Sequence, residues 1–153
     1  MTDRRQTEQA FADVITQVGK PDILVHSAGV LPDPGPIAKA EAETLLFIFS
    51  INVFGALNAA QVFLKHTGPQ PILLNINSGI SHMVPLRNMG VYAASKAANA
   101  KAFDYLALEN PHVHLVNVQP GVVNTEMNRE GKVQTQDERN YGPRQCYTTV
   151  QFH

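Results

Sequence analysis

Two side chains that could together manage a proton stand four positions apart in the segment VYAASKAANAKAFDYLALENP, residues 91–111. If this alanine-rich segment is a helix, Tyr92 and Lys96 lie one above the other, because positions i and i+4 share a helix face. An isolated phenol has a pKa of about 10, and a neighbouring ammonium favours its ionised form. We therefore expect Lys96 to lower the pKa of Tyr92 far enough for the phenol to exchange a proton with an alcohol or carbonyl oxygen.

Two further polar residues could assist this pair. Ser78 follows the apolar run PILLNI and could hydrogen-bond the same substrate oxygen. Asn52 lies between Ile51 and Val53 in another helical pattern, where a buried amide needs partners, and it could hold a water that connects Lys96 to bulk solvent. Each residue alone also fits an ordinary role: a half-buried aromatic, a solvated lysine, a helix cap and a helix-kinking amide.

The elements that would position these groups alternate along the chain. Apolar spacing predicts helices over residues 3–19, 41–66 and 89–109, and strands within PDILVHSAG, PILLNINSG and VHLVNVQPG. The strand runs are almost continuously apolar, which is typical of parallel strands covered on both faces. This order predicts an α/β layered fold with right-handed crossovers.

All three predicted strands end in small or polar residues. In open parallel sheets, ligands bind beyond the carboxyl ends of the strands. That rule selects Ser27, Ala28 and Gly29 after the first strand, Asn77, Ser78 and Gly79 after the second, and Pro120 with Gly121 after the third. The same residues are also common in plain turns, so their joint position at one sheet edge is what favours a binding crevice.

Overall composition narrows the classes of protein. The 153 residues suit one domain, and a formal net charge of −1 gives no case for binding nucleic acid or an acidic membrane surface. No uninterrupted apolar run approaches the ~18 residues of a membrane helix, and the polar start lacks a signal core. The single Cys146 fits a reducing compartment, so we expect a cytoplasmic protein.

The sequence disfavours two other kinds of site. The segment NSGIS does not match the Gly-x-Ser-x-Gly pattern of a serine hydrolase, because residue 76 is Ile. His112 and His114 share a strand face, but no third ligand stands near them in the sequence, so solvent-facing histidines are favoured over a metal site.

Several motifs, in this order, resemble the short-chain dehydrogenase/reductase family. DILVHSAG is similar to the family's strand ending in Asn-Asn-Ala-Gly, and INVFG to its Asn-Val-x-Gly helix segment. LLNINSG resembles the strand that bears the catalytic serine, YAASK matches Tyr-x-x-x-Lys, and VQPGVVNT resembles Pro-Gly-x-Val-x-Thr. The resemblance covers residues 4–128 and implies a partial Rossmann-type three-layer α/β/α domain with about three parallel core strands.

The resemblance also implies roles for individual residues. Tyr92 would be the acid/base, Lys96 would tune it and bind the nicotinamide ribose, Ser78 would orient the carbonyl and Asn52 would sustain a proton relay. Ser27, Ala28 and Gly29 would line the adenine side of an NAD or NADP site, and Pro120, Gly121, Val123 and Thr125 its nicotinamide end. The implied reaction is hydride transfer between NAD(P) and a small alcohol/ketone substrate.

The sequence departs from the family pattern in three ways. His26 and Ser27 stand where the family has Asn-Asn. The interval from Ser78 to Tyr92 is one residue longer than is usual in the family, and no Gly-x-x-x-Gly-x-Gly follows a strand. We therefore expect an N-terminally truncated member with impaired activity, comprising a domain over residues 1–128 and a polar irregular tail over residues 129–153. The alternative is a non-catalytic remnant that interacts or dimerises through the helices of residues 41–66 and 89–109.

Overall fold

The computed structural model of the chain describes residues 2–121 and 127. The first helix, α1, spans Arg4–Val18 and begins where the Asp3 carboxylate accepts hydrogen bonds from the backbone N–H groups of Arg5 and Gln6. It ends at Gly19, whose φ of 96° suits a residue without Cβ. The helix predicted over residues 3–19 is confirmed.

Three strands form one parallel sheet in the order β1-β2-β3. They are β1 Ile23–His26, β2 Ile72–Ile76 and β3 His114–Val118. In this register His26 stands beside Asn75, and Asn75 stands beside Asn117. The predicted parallel α/β arrangement is therefore confirmed, and the carboxyl ends of all three strands meet at one sheet edge.

The long helix predicted over residues 41–66 is continuous but not uniform. It consists of α2 Ala42–Phe49, a π-helical segment Ser50–Gly55 and α3 Ala56–His66. Its length and composition would suit a membrane span, but core helices of water-soluble proteins share these properties. Here Val62 and Phe63 are fully buried against the rest of the domain, as in a core helix.

The core lies on one face of the sheet. Leu73 of β2 and Leu115 of β3 pack with Phe63 of α3 and with Phe103 of α4, the helix Gly90–Glu109. On the opposite face, Ile23 and Val25 of the edge strand β1 are 56% and 55% exposed. Within the described part of the chain, then, one of the two expected helical layers is present, and β1 is not covered on both faces.

Two short 3-10 turns complete the connections, at Ile37–Lys39 before α2 and at Gly79–Ser81 after β2. The predicted polar tail of residues 129–153 lies outside the described residues.

Candidate functional site

The start of α4 is fixed by close packing against the 3-10 turn that precedes α2. A Cβ at Gly90 would stand 3.0 Å from the Cβ of Ile37, so a side chain here would require the two segments to move apart by a few tenths of an ångström. Just before the helix, Asn88 adopts φ 63° and its carbonyl accepts a hydrogen bond of 2.9 Å from the N–H of Gly35. These contacts determine where Tyr92, in the first turn of α4, faces.

The π-helical segment holds Asn52 at the centre of the site. Its side chain is 1% exposed and clamps the backbone of Val30: Oδ1 accepts from the Val30 N–H at 2.8 Å, and Nδ2 donates to the Val30 carbonyl at 2.9 Å. Nδ2 also donates to Ser95 Oγ at 3.0 Å. A single π turn inside an α-helix often marks a functional position, and here it coincides with a residue selected from the sequence.

Lys96 is buried rather than solvated. Its side chain reaches back to the end of β2, where Nζ donates a hydrogen bond of 3.4 Å to the Ile76 carbonyl. Desolvation lowers the pKa of Lys96 to about 8, because the low-dielectric surroundings disfavour the charged form. A Cβ placed on Gly29 would lie 3.4 Å from Nζ and 3.3 Å from Asn52 Oδ1. The bare backbone of Gly29 therefore faces both polar groups.

Tyr92 and Lys96 share one face of α4, as the four-residue spacing predicts. Lys96 Nζ lies 5.9 Å from the centroid of the Tyr92 ring, within the range of a cation–π contact. The expected lowering of the phenol pKa is wrong for this structure, because burial raises the pKa of Tyr92 and a contact with the Ser78 side chain offsets only part of the rise. Tyr92 therefore keeps its proton at neutral pH.

Ser78 stands at the junction of β2 and the following 3-10 turn. Its N–H donates to Asn77 Oδ1 at 2.7 Å, which fixes the backbone. Its hydroxyl is the acceptor in a long 3.5 Å contact from the Ile80 N–H, a weak bond that leaves the hydroxyl able to serve another group. The structure thus brings Ser78 to Tyr92, as the sequence predicts.

Five of the remaining predicted binding residues are described by the structure, and they follow β1 and β3 at the expected sheet edge. Ser27 is exposed after β1, whereas Ala28 and Gly29 are half-buried. After β3, Pro120 is half-buried, and Gly121 has φ 75°, a conformation that favours glycine. Val123 and Thr125 lie outside the described residues.

A cluster of buried asparagines supports the site and was not assigned a role from the sequence. Asn99 of α4 accepts hydrogen bonds at Oδ1 from Asn75 Nδ2 at 2.7 Å and from Asn77 Nδ2 at 2.9 Å. Asn99 Nδ2 donates to the Asn52 carbonyl at 2.8 Å, inside the π-helical segment. Asn75 also bonds Asn117 Oδ1 at 2.8 Å. The signal available in the sequence was the recurrence of asparagine in otherwise apolar strands, since buried amides need partners.

Comparison with known proteins gives consistent matches. A family model described as short chain dehydrogenase matches residues 1–136. A benzil reductase ((S)-benzoin forming) of Bacillus cereus is 28% identical over 139 residues, which is 83% of this chain and 55% of that protein.

Solved structures agree with the sequence matches. A short-chain dehydrogenase/reductase from Serratia marcescens has a TM-score of 0.76 and 31% identity, over 83% of this chain and 52% of the other. A short chain dehydrogenase from Burkholderia cenocepacia in complex with NADP has a TM-score of 0.75 and 27% identity, over 82% and 52%. The chain thus spans about half the length of these relatives.

Proposed function

The chain belongs to the short-chain dehydrogenase/reductase family, and we propose that it acts as an oxidoreductase of this family. The proposed reaction is hydride transfer between NAD(P) and an alcohol/ketone pair. The observation that carries the proposal is the pair of half-buried Tyr92 and buried Lys96, whose Nζ lies 5.9 Å from the centre of the phenol ring, beside Ser78 and the bare backbone of Gly29. We expect this activity in the cytoplasm.

Tyr92 is the proton donor in this proposal. Because burial raises its pKa, the phenol is protonated at neutral pH and can give its proton to a carbonyl oxygen as that oxygen gains negative charge. The hydroxyl of Ser78, which lies beside the phenol, can donate a hydrogen bond to the same oxygen and orient it. The products balance as an alcohol, with the hydride on carbon and the Tyr92 proton on oxygen.

Lys96 and Asn52 prepare the site. Lys96 Nζ is held by the Ile76 carbonyl and keeps further N–H groups that can be directed at ribose hydroxyls. Asn52 fixes the backbone after β1 through Val30, which holds the neighbouring Gly29 against Lys96. We propose that Asn52 also sustains a relay that returns a proton to Tyr92.

The residues fit a dinucleotide at the carboxyl edge of the sheet. Gly29 leaves room that any side chain would fill, because its Cβ would come within 3.4 Å of two polar atoms. When bound, NAD(P) supplies or accepts the hydride. We place its adenine side against Ser27, Ala28 and Gly29, and its nicotinamide end against Pro120, Gly121, Val123 and Thr125. The Burkholderia relative is in complex with NADP, so both NADP and NAD need to be tested.

A direct test combines binding and turnover in the purified chain. Saturable quenching or enhancement of NADPH or NADH fluorescence, together with reduction of benzil, the substrate in the name of the Bacillus relative, would support the proposal. Tyr92→Phe is expected to lower turnover by roughly 100-fold or more, since general acid catalysis contributes that much. The matched control is Tyr105→Phe, an exposed tyrosine on the same helix. Equal turnover in both variants would remove Tyr92 from the reaction.

A second candidate function is that of a non-catalytic interaction or dimerisation module. Large apolar side chains are exposed on the helices named for this role: Leu46, Phe47, Phe54, Tyr105 and Leu108. Exposed apolar patches of this kind mark association surfaces. A stable dimer that binds neither NADPH nor NADH, and that dissociates in Phe54→Glu, would favour this function over the enzyme.

A further inference from the structure

The carboxyl end of β1 carries a buried histidine that the proposed chemistry does not use. His26 is 2% exposed, and among the described residues neither Nδ1 nor Nε2 has a hydrogen-bond partner. Buried polar atoms without partners are rare in folded proteins, because each forfeits its hydrogen bonds to water. We therefore expect a hydrogen-bond partner for the His26 ring among the residues that surround it.

The neighbouring strand offers one. Asn75 is the register partner of His26 on β2, and its Oδ1 is also buried without a hydrogen bond, while its Nδ2 donates to two other asparagines. A histidine ring in its neutral form has one N–H donor, and an amide oxygen is an acceptor. The ring N–H of His26, which has no acceptor, therefore stands on the strand position next to Asn75 Oδ1, which has no donor.

The electrostatic surroundings favour the neutral ring. Burial lowers the pKa of His26, the positive charge of Lys96 lowers it further, and the Asn75 amide opposes both effects. Lys96 of α4 is the charged group that acts on the ring, whereas Asn75 of β2 and Phe103, whose ring centroid is 6.5 Å away, carry no charge. A proton on His26 would place a second cation in the space that holds Lys96.

We propose that neutral His26 donates a ring N–H to Asn75 Oδ1 and acts as a positioning residue for Asn52 and Lys96. Protonation of His26 at acid pH keeps this N–H but places a second positive charge near Lys96, and that repulsion disrupts the arrangement.

The hydrogen bonds already present connect Asn75, the register partner of His26, to both site residues. From Asn75, Nδ2 donates to Asn99 Oδ1, and Asn99 Nδ2 donates to the Asn52 carbonyl. Asn77 Nδ2 donates both to Asn99 Oδ1 and to the Lys96 carbonyl at 3.2 Å. One added bond from His26 therefore completes a chain that ends on the backbones of Asn52 and Lys96.

The first test is cofactor-free and uses the full chain. Nitrogen NMR of the imidazole rings, with the His26 signal identified by its loss in His26→Asn, is expected to show one fixed neutral tautomer that titrates below the ordinary value of about 6.5. Asn75→Asp, which puts a carboxylate beside the ring, is expected to move that titration upward. A His26 ring that titrates as in a free peptide, or that ignores Asn75→Asp, overturns the proposal.

The second test uses the pH dependence of unfolding in denaturant. Below about pH 6.5 the unfolded chain binds a proton that the folded chain excludes, so the unfolding constant rises by up to ~10-fold for each pH unit of acidification. His26→Asn is expected to abolish this slope, even if it shifts stability equally at all pH values. The matched control is His112→Asn, an exposed histidine in the turn before β3, which keeps the wild-type slope. Equal slopes in the wild type and His26→Asn contradict the proposal.

The third test separates positioning from a purely structural role. Carbon NMR of the Lys96 side chain is expected to show a second inflection at the pH where His26 titrates, and this inflection is absent in His26→Asn. As the pH is lowered through the same range, the affinity for NADPH is expected to fall in the wild type but not in His26→Asn. This last measurement rests on the proposed function: absence of NADPH binding at every pH defeats that function, whereas a Lys96 signal without the second inflection defeats the positioning role.

Discussion

The Nζ atom of Lys96 lies 5.9 Å from the centre of the Tyr92 ring, yet the two groups do not ionise each other. Burial governs both groups: it raises the pKa of the phenol and lowers the pKa of the ammonium to about 8. At neutral pH the pair therefore holds a protonated phenol above a charged but poorly solvated amine. Such a pair is suited to giving a proton to an oxygen rather than removing one.

The buried amine makes stability depend on pH. Between about pH 8 and pH 10 the unfolded chain binds a proton that folded Lys96 has lost, so the free energy of unfolding rises by about 1.4 kcal/mol per pH unit. In Lys96→Met this rise is expected to disappear. Urea unfolding at several pH values measures it, with Lys101→Met on the exposed face of α4 as the control that keeps the wild-type slope. A persistent slope in Lys96→Met would show that Lys96 is not its source.

Close approach at Gly29 predicts a cofactor defect. In Gly29→Ala the added methyl group meets Asn52 Oδ1 at 3.3 Å, so this side chain must shift by a few tenths of an ångström, and it comes into van der Waals contact with Lys96 Nζ at 3.4 Å. We expect a loss of NAD(P)H affinity of roughly 10-fold, the equivalent of about 1.4 kcal/mol. Fluorescence titration measures the affinity. Gly35→Ala, where the methyl group meets nothing within 4 Å, is the matched control and is expected to bind as the wild type does.

The asparagine cluster predicts a large stability effect at Asn99. Asn99→Ala leaves the amides of Asn75 and Asn77 and the carbonyl of Asn52 without this partner, and each such buried group costs about 1–3 kcal/mol. The expected loss in unfolding free energy is therefore about 3 kcal/mol or more. Asn110→Ala removes one bond to the Leu106 carbonyl at the end of α4 and is expected to cost about 1 kcal/mol. Equal losses in the two variants would show that the cluster does not stabilise the fold.

The open face at β1 predicts a change in solubility without a change in stability. Val25 is 55% exposed on the edge strand, and exposed apolar edges promote association between chains. Val25→Lys is expected to lower light scattering on concentration while shifting the unfolding free energy by about 0.5 kcal/mol or less. Leu73→Lys is instead expected to lower the unfolding free energy without lowering light scattering, because Leu73 is fully buried on β2. Unchanged scattering in Val25→Lys would show that this edge is not where chains associate.

Much of the architecture could be predicted from local patterns. Helices over Arg4–Val18 and Gly90–Glu109, and the three strands, follow the apolar spacing closely. The four-residue interval from Tyr92 to Lys96 was enough to place both on one helix face, because a helix repeats every 3.6 residues wherever it stands. The parallel order followed from the alternation of strands and helices.

The sequence by itself thus determined which segments are helices and strands and which polar residues stand at the strand ends, because these depend on short-range periodicity and turn chemistry. The tertiary structure alone decided how deeply each polar group is buried and which group it meets. The raised pKa of Tyr92, the clamp of Asn52 on Val30 and the burial of His26 beside Asn75 all arise from contacts between residues far apart in the chain. Desolvation and hydrogen-bond partners depend on those long-range contacts, which local spacing does not encode.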